Sequence, residues 1–500
     1  MDEESLPPIE EFYSSLCDST ISADDYRHAQ TVWKHFNCRT LGQYSDLYLK
    51  TDVLLLADIM ESFRNISLET FKLDPAHYFT LPGFSFDAML KYTKIKLELL
   101  TDYSMYAFFH SSIRGGIVTC VHRHAVANNH YTGAPYNTKK PNSFLAFLDI
   151  NNLYGYSMCA ALPRANFAWM SRDEIDNAVA NMKNWSKDQT VGYVLEVDIE
   201  YPKDLHDAHN DFPFLAKNQK VFPSNQTRLI TSLTNHTNYV CHYLLLKQAI
   251  EHGLKLTNIR RGISFEQSKF LEPYISLNTQ LRQQSKNKFQ KDFHKLLNNV
   301  IFGKSCMNLW KQMDLKLVNN EKSLLKYIAR PSFKDRLIFG KNICGITLHK
   351  ENILLNNPIY IGFSILDLSK TVMYSFHYDV IRKIYGPSAK LLYQDTDSLM
   401  YLIKTADFYW DIRTNEDLKH WLDTSNYPVD HPAYSTQNRM VVGKMKDEFA
   451  SKAPYQFLGL RSKLWACRLY NEIIGQQQQQ QHFDKETEDR LENEHDIKNY

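Results

Sequence analysis

Ala389 to Ile403 reads AKLLYQDTDSLMYLI. Two apolar, strand-like runs flank the acidic turn Asp395-Thr396-Asp397-Ser398, so the segment predicts a β-hairpin with carboxylates at its tip. Asp and Ser are also ordinary turn residues, and alone this stretch reads equally well as a surface turn. Adjacent hard oxygen ligands on a rigid support, however, suit a magnesium-type ion that must also hold a nucleoside triphosphate.

Two other segments decide between these readings. Phe144 to Tyr154 reads FLAFLDINNLY, an apolar run that ends abruptly at Asp149. A buried strand carrying one acid is costly unless that acid has a cation or a partner. Lys295 to Lys304 reads KLLNNVIFGK, a helix-like stretch with Lys295 and Asn299 one turn apart on one face. Gly303 then permits close backbone approach or an unusual turn.

These segments, in this order, resemble the family B DNA polymerases, in particular the protein-primed, organellar-plasmid and viral (Polinton-like) branch. Asp149-Ile-Asn-Asn-Leu-Tyr154 resembles motif A, with Asn152 where Ser is usual. Lys295-x-x-x-Asn299-Val300-x-Phe302-Gly303 resembles motif B, with Val300 in the Ser place and Phe302 in the Tyr place. Tyr393-x-Asp395-Thr-Asp397-Ser resembles motif C without departure. Ser112-Ile-Arg-Gly-Gly-Ile117 is similar to the Tyr-x-Gly-Gly element between exonuclease and polymerase regions, with Ile113 in the Tyr place. Gly443-Lys-Met-Lys-Asp-Glu448 and Arg461-Ser-Lys-Leu-Trp465 resemble segments after motif C, the latter a primer-gripping Lys-x-Tyr with Trp465 for Tyr. The resemblance runs from about Tyr44 to about Tyr470.

The resemblance implies an α+β right-hand polymerase fold: an antiparallel palm sheet with helices, helical fingers and a partial thumb, preceded by the C-terminal part of an exonuclease domain. It implies exonuclease remnant over 1–80, connector over 81–143, palm with motif A over 144–164, an inserted subdomain over 165–270 and fingers over 271–310. A second insertion over 311–350, palm with motif C over 351–460 and the start of a thumb over 461–475 follow. Helical periodicity over 358–386 predicts a palm helix, closed by Gly386 and Pro387. Gln476 to Gln481 open a polar tail over 476–500 that reads as low-complexity and disordered.

Roles follow from the resemblance. Asp149, Asp395 and Asp397 are the expected catalytic acids and, with the Ile150 carbonyl, the ligands of two Mg²⁺ ions, Mn²⁺ being an alternative. Tyr154, Arg282, Lys286, Lys291, Lys295, Asn299, Phe302 and Gly303 are expected at the nucleotide, with Arg282 and Lys286 read as an i, i+4 pair. Arg114, Gly115, Gly116, Tyr393 and Lys463 are expected at DNA or the primer terminus. Tyr48 and Asp52 resemble the third exonuclease motif, whose two companion motifs are missing, so proofreading is not expected. Read without the family, Asp52 is an acid near a helix start. Expected partners are primer-template DNA, dNTPs and a terminal priming protein. The activity implied is template-directed DNA synthesis on a viral, plasmid or mobile element. Its rivals are a catalytically silent DNA-binding remnant and, from Asp52 alone, a metal-dependent nuclease.

Composition agrees without deciding. A chain of 500 residues, 43% hydrophobic and 13% aromatic, implies several subdomains with ample core. The net charge of +2 excludes nothing, because cations need only gather where phosphates lie. They gather at Arg282, Lys286, Lys288, Lys291, Lys295 and Lys304. The 8 cysteines form no CxxC pair, which argues against a zinc ribbon or disulfide framework and for an intracellular setting. Nucleus, mitochondrion and viral replication site are not distinguished. His206, Asp207, His209 and Asp211 sit beside Asn and Pro and read as loop chemistry rather than a metal site. The start, MDEESLPPIEEF, has neither signal-peptide nor transit-peptide character, and no apolar run reaches the ~20 residues of a membrane span.

Overall fold

A computed structural model describes residues 1–133, 136–223 and 225–469. The glutamine-rich tail and the last part of the expected thumb lie outside these residues. The chain divides into two compact units, 1–84 and 85 onward. Among the described residues no helix is long and apolar enough to cross a membrane.

The first unit is built on helices Ala23–His35 and Leu41–Phe71, capped by the Ser22 and Thr40 hydroxyls, which accept from Asp25 N and Gln43 N. Arg64 clamps Asp74 at 2.7 Å, and Phe63, Phe71 and Tyr78 set their rings edge-on to Phe84. Because the long helix begins at Leu41, Asp52 lies in its middle rather than at its start. Tyr48 and Asp52 are both exposed, as are Val53, Leu54, Leu55 and Leu56. Apolar residues around most of a helix's circumference mark a helix suited to burial on more than one side.

In the second unit, β1 (Val118–Cys120), β2 (His124–Val126) and β3 (Phe144–Ile150) precede helix Leu153–Met158. Next come β4 (Leu162–Trp169), β5 (Val191–Glu200), the hairpin β6 (Lys217–Val221) and β7 (Gln226–Ile230), β8 (His236–His242) and β9 (Lys255–Ser268). β4, β9, β5 and β8 form an antiparallel sheet in that order, largely within the 165–270 stretch read as an insertion. Helices Glu272–Gln284 and Lys288–Ser305 follow. β10 (Met313–Val318), β11 (Phe333–Gly340) and β12 (Ile343–His349) make a second small sheet, with helix Glu321–Ile328 over a core of Val318, Ile346 and Leu348.

The palm elements come next: helix Ile359–Tyr374, a π-helical continuation Ser375–Arg382, then β13 (Ala389–Asp395), β14 (Ser398–Ile403), β15 (Leu422–Asp423) and β16 (Met445–Asp447). Gly386, at φ 52°, ends the helical run as expected of it. The palm sheet runs β1-β13-β14-β3-β16-β15. β1 comes from the stretch read as a connector, so palm structure already begins at Val118. β17 (Pro454–Arg461) and β18 (Leu464–Leu469) form a hairpin that pairs with β2. Within 461–475, read as the start of a thumb, the described residues hold β18, and β17 precedes it.

One core joins the palm to the first insertion. Leu148, Leu391, Leu399 and Tyr374 share it with Phe214, Leu245 and Leu246. Each such aliphatic side chain contributes about 1.5–3 kcal/mol on burial. The core also holds charge. Lys370, on the palm helix, is buried and donates to the Arg114 carbonyl (3.0 Å) and the Leu366 carbonyl (2.9 Å). Asp367 lies 4.0 Å from its amine and accepts the His242 backbone N–H at 3.0 Å. Burial pulls the Lys370 amine down to about 8, with Asp367 opposing.

Two outcomes are expected. Asp367→Ala strands the Lys370 cation and orphans the His242 N–H, so the urea-unfolding free energy should fall by about 3–5 kcal/mol; a loss near zero would show that the buried amine does not depend on this carboxylate. A Cβ added at Gly116 would meet Thr396 Oγ1 at 2.3 Å and Thr396 Cβ at 2.8 Å. Thr396 cannot easily give way, because its φ is 55° and its N–H bonds the Ile117 carbonyl at 2.8 Å. Gly116→Ala should therefore cost about 1–3 kcal/mol, and Thr396→Gly in the same chain should recover most of it in the same unfolding assay.

Candidate active site

Strand register brings the acids together. β14 lies between β13 and β3, with Ser398 opposite Asp395 on one side and Asp149 on the other. Asp397 occupies the turn, and its carbonyl accepts the Ile150 N–H at 2.8 Å. The tip of the hairpin and the end of β3 are thus one surface.

Electrostatics divides the three acids. Burial raises the Asp149 carboxyl to about 7; Asp397 and Glu448 push the same way, while Lys295 and Lys446 oppose. Asp397 is raised as well, chiefly by burial and further by Asp395, against Lys463 and Lys295. Asp395 is differently placed. Lys463 Nζ donates to its Oδ1 at 2.6 Å and the Tyr393 hydroxyl to its Oδ2 at 3.4 Å. Asp149 and Asp397 are therefore left as a partly buried pair short of positive charge.

That donor set fits a magnesium ion. Mg²⁺ takes one or two carboxylates from protein and completes its shell with phosphate oxygens and water. Among the described residues no group of three or more His, Cys, Asp or Glu is arranged to hold a metal. A site made of the Asp149 and Asp397 carboxylates needs substrate oxygens to be complete. Elsewhere, His209 bonds the Tyr201 hydroxyl (2.9 Å), and Asp211 accepts the Leu391 N–H (3.1 Å) and meets His122 (3.2 Å), so these two members of the His-rich loop are spent on structure.

The cations stand on helix Lys288–Ser305, started by the Asn287 side chain accepting from Gln290 N. Phe293, His294, Leu297, Asn298 and Ile301 form its buried face. Lys291 and Lys295 are exposed one turn apart, with Asn299 one turn beyond. Asn299 Oδ1 and Arg282 Nε are buried with no hydrogen-bond partner among the described residues. Phe302 stacks on Tyr154, with centroids 4.4 Å apart and planes at 19°. Tyr154 reaches that place because Asn152 turns the chain at φ 52° and caps the next helix, accepting from Gly155 N. Burial pushes the Tyr154 hydroxyl up to about 12.

Several expected positions differ. Arg282 and Lys286 are not one helical turn apart: the first helix ends at Gln284, Ser285 is extended, and Lys286 lies in the break. Gly303 makes neither an unusual turn nor a close approach; it sits inside the helix, where a Cβ would meet nothing within 4 Å. Arg114 does not face the surface. Its guanidinium lies 3.8 Å from the Tyr239 ring centroid and donates to the Val240 carbonyl at 2.8 Å, both interior groups. Gly115 is exposed, while Gly116 abuts Thr396. Tyr393 is wholly buried, accepting the Lys463 N–H at 2.9 Å, so it orients the Lys463–Asp395 pair from behind. Lys463 remains 67% exposed at the β17–β18 turn. Trp465 packs its ring 5.0 Å from Phe147.

Lys446 was not singled out from the sequence. It lies opposite Asp149 in the β3–β16 register, with Met445 and Asp447 buried on either side of it. Its period-2 place between buried Met445 and Asp447 is masked in the sequence, where Asp447 reads as one more charged residue.

Comparison with known proteins follows the same lines. No curated protein matches the chain. Among solved structures, phi29 DNA polymerase in an orthorhombic crystal form is similar at 15% identity and TM-score 0.47, over 81% of this chain and 57% of that one. Phi29 DNA polymerase with primer-template DNA and incoming nucleotides is similar at 15% identity and TM-score 0.46, over 79% and 56%. The family B DNA polymerase of the hyperthermophilic archaeon Pyrobaculum calidifontis is more distant, at 10% identity and TM-score 0.26, over 78% and 32%. The chain thus spans little more than half the length of the phi29 polymerase chains. Residues 28–381 match the family described as DNA polymerase type B, organellar and viral, and the chain belongs to that family.

Proposed function

We propose that the chain extends a DNA primer 3′ end with dNTPs under template direction, as a polymerase of the protein-primed type serving a viral, plasmid or mobile element. The observation that carries this is the partly buried Asp149–Asp397 pair under the field of Lys295. Bound Mg²⁺ would supply the charge that draws the attacking and leaving oxygens of nucleotidyl transfer into line.

The chain's own residues do the rest. Asp149 and Asp397, with the Ile150 carbonyl, would hold the metal and, through it, the triphosphate at the end of the palm sheet. Asp395 keeps Lys463 in place, and Lys463 faces the primer strand. Lys295, with Lys291 and Arg282 behind it, neutralises the triphosphate as charge moves to the leaving group. The stacked Tyr154 and Phe302 rings would form the wall beside the incoming nucleotide, and the Asn299 oxygen, buried without a partner among the described residues, is kept for the base pair. Tyr154 is the side chain that would exclude a 2′-hydroxyl. A terminal priming protein is the partner this branch implies.

Primer extension on a primed single-stranded template with Mg²⁺ and dNTPs tests the proposal. The chain should extend the primer, and Asp397→Ala should abolish extension while leaving DNA binding intact. Binding that weakens with salt, without any incorporation, would instead mark a silent DNA-binding remnant. DNA degradation lost on changing Asp52 would revive the nuclease reading.

Gly303 provides a second test. Gly303→Ala should stabilise the free protein by roughly 0.5–1 kcal/mol, because glycine is a poor helix former and the site is open. If the incoming nucleotide uses that bare backbone, the same change should raise KM for dNTP about tenfold, or ~1.4 kcal/mol. A stabilised variant with unaltered KM would remove Gly303 from the nucleotide site.

A further inference from the structure

Asp423, at the end of β15, is almost wholly buried, at 1% exposure. Its Oδ1 accepts the Ser425 N–H at 3.1 Å. Its Oδ2 accepts the Met440 N–H at 3.0 Å and the Asn151 side-chain amide at 2.8 Å. Three donors on two oxygens call for a carboxylate, because an asparagine would present only one acceptor atom. The loop that supplies the backbone donors is itself tied down. Asn438 donates to the Leu422 carbonyl (2.7 Å) and the Lys419 carbonyl (2.9 Å), and Asn426 to the Asp447 carbonyl (2.7 Å).

The third donor links this region to the acids. Asn151 is the second residue after Asp149 and the third before Tyr154. Its N–H donates to the Lys444 carbonyl (2.8 Å), and its carbonyl accepts the Gly443 N–H (2.9 Å). Gly443 adopts φ 83°, and a Cβ there would strike the Tyr156 ring at 2.4 Å. The bend from β3 into helix Leu153–Met158 is thus held by its backbone on the turn leading into β16 and by the Asn151 side chain on β15.

We infer that Asp423, acting through Asn151, is a positioning residue for nucleotide selection: it fixes the bend that sets Tyr154 relative to Asp149. The inference rests on the polymerase reading above. Asp423 touches neither nucleotide nor metal. Its effect is to prevent the Tyr154 wall from moving when a sugar presses on it.

Asn151→Ala is the informative variant, since it removes the arm and leaves Asp423 with both backbone donors. Its thermal unfolding should match the parent. KM for dNTP should rise roughly tenfold to a hundredfold, as misplacement of a reacting group does, and the preference for dNTP over rNTP should narrow. Amide exchange should quicken over 151–156 and stay unchanged in β13 and β14. Asp423→Asn should shift the same quantities in the same direction. Parental KM and sugar preference in Asn151→Ala, or exchange that quickens uniformly with a fall in melting temperature, would overturn the inference. If the parent chain extends no primer, the polymerase reading fails separately. The exchange pattern over 151–156 then decides alone whether Asp423 holds the bend.

Discussion

Two carboxylates that repel each other are the constraint on which the palm depends. Asp149 and Asp397 share a half-buried surface where burial and mutual repulsion both favour protonation. Such a pair persists only if the scaffold beneath it is rigid and a cation completes it. The scaffold is the register of three adjacent antiparallel strands, Asp395 opposite Ser398 opposite Asp149. A slip of one residue in either pairing would turn an acid to the other face of the sheet. The strands are buried on both faces, with Leu148, Leu391, Leu399 and Tyr401 in one cluster and Leu145, Leu392, Tyr393 and Met400 in another, so packing from both sides holds the register.

The supports around that centre divide the labour. Lys463 neutralises Asp395, so only two of the three acids remain short of positive charge. Lys295 and Lys446 approach Asp149 from a helix and from the neighbouring strand, temper the repulsion, and do so without forming an ion pair that would exclude a metal. Lys370 and Arg114 show the opposite use of charge. Both are buried and donate to carbonyls, Lys370 to Arg114 and Arg114 through Nη2 to Val240, tying the palm helix to the approach to β1 and to β8. Cations among the described residues thus serve two uses: Lys370 and Arg114 are sunk in the core, while Lys291 and Lys295 stand exposed on the helix and Lys463 at the β17–β18 turn stays exposed although paired with Asp395.

Much of the site was legible in the sequence. The acidic hairpin, the strand ending near Asp149 and the lysine-bearing helix carry local patterns strong enough to survive tertiary context: short apolar runs bounded by acids for the strands, four-residue spacing for the helix. The palm helix and its stop at Gly386 were legible for the same reason. The misplacements share a cause. Arg282 and Lys286 looked contiguous because the sequence between them is polar and helix-tolerant, yet the chain breaks at Ser285. Gly303 looked like a turn, but neighbouring helix-formers carry a single glycine through. Arg114 looked like a surface cation until the Tyr239 ring took its guanidinium.

The sequence by itself determined the family and the order of its elements, because those rest on residue types at fixed short spacings. It also determined which acids and lysines are candidates for the chemistry. Tertiary structure decided how the candidates differ. Asp395 is neutralised and Asp397 is not, Tyr393 is buried and Lys463 exposed, and Asn151 is tied to a carboxylate far along the chain. These distinctions come from partners at large sequence separation, and a side chain's charge state and reach are set by what packs against it rather than by its neighbours in the chain.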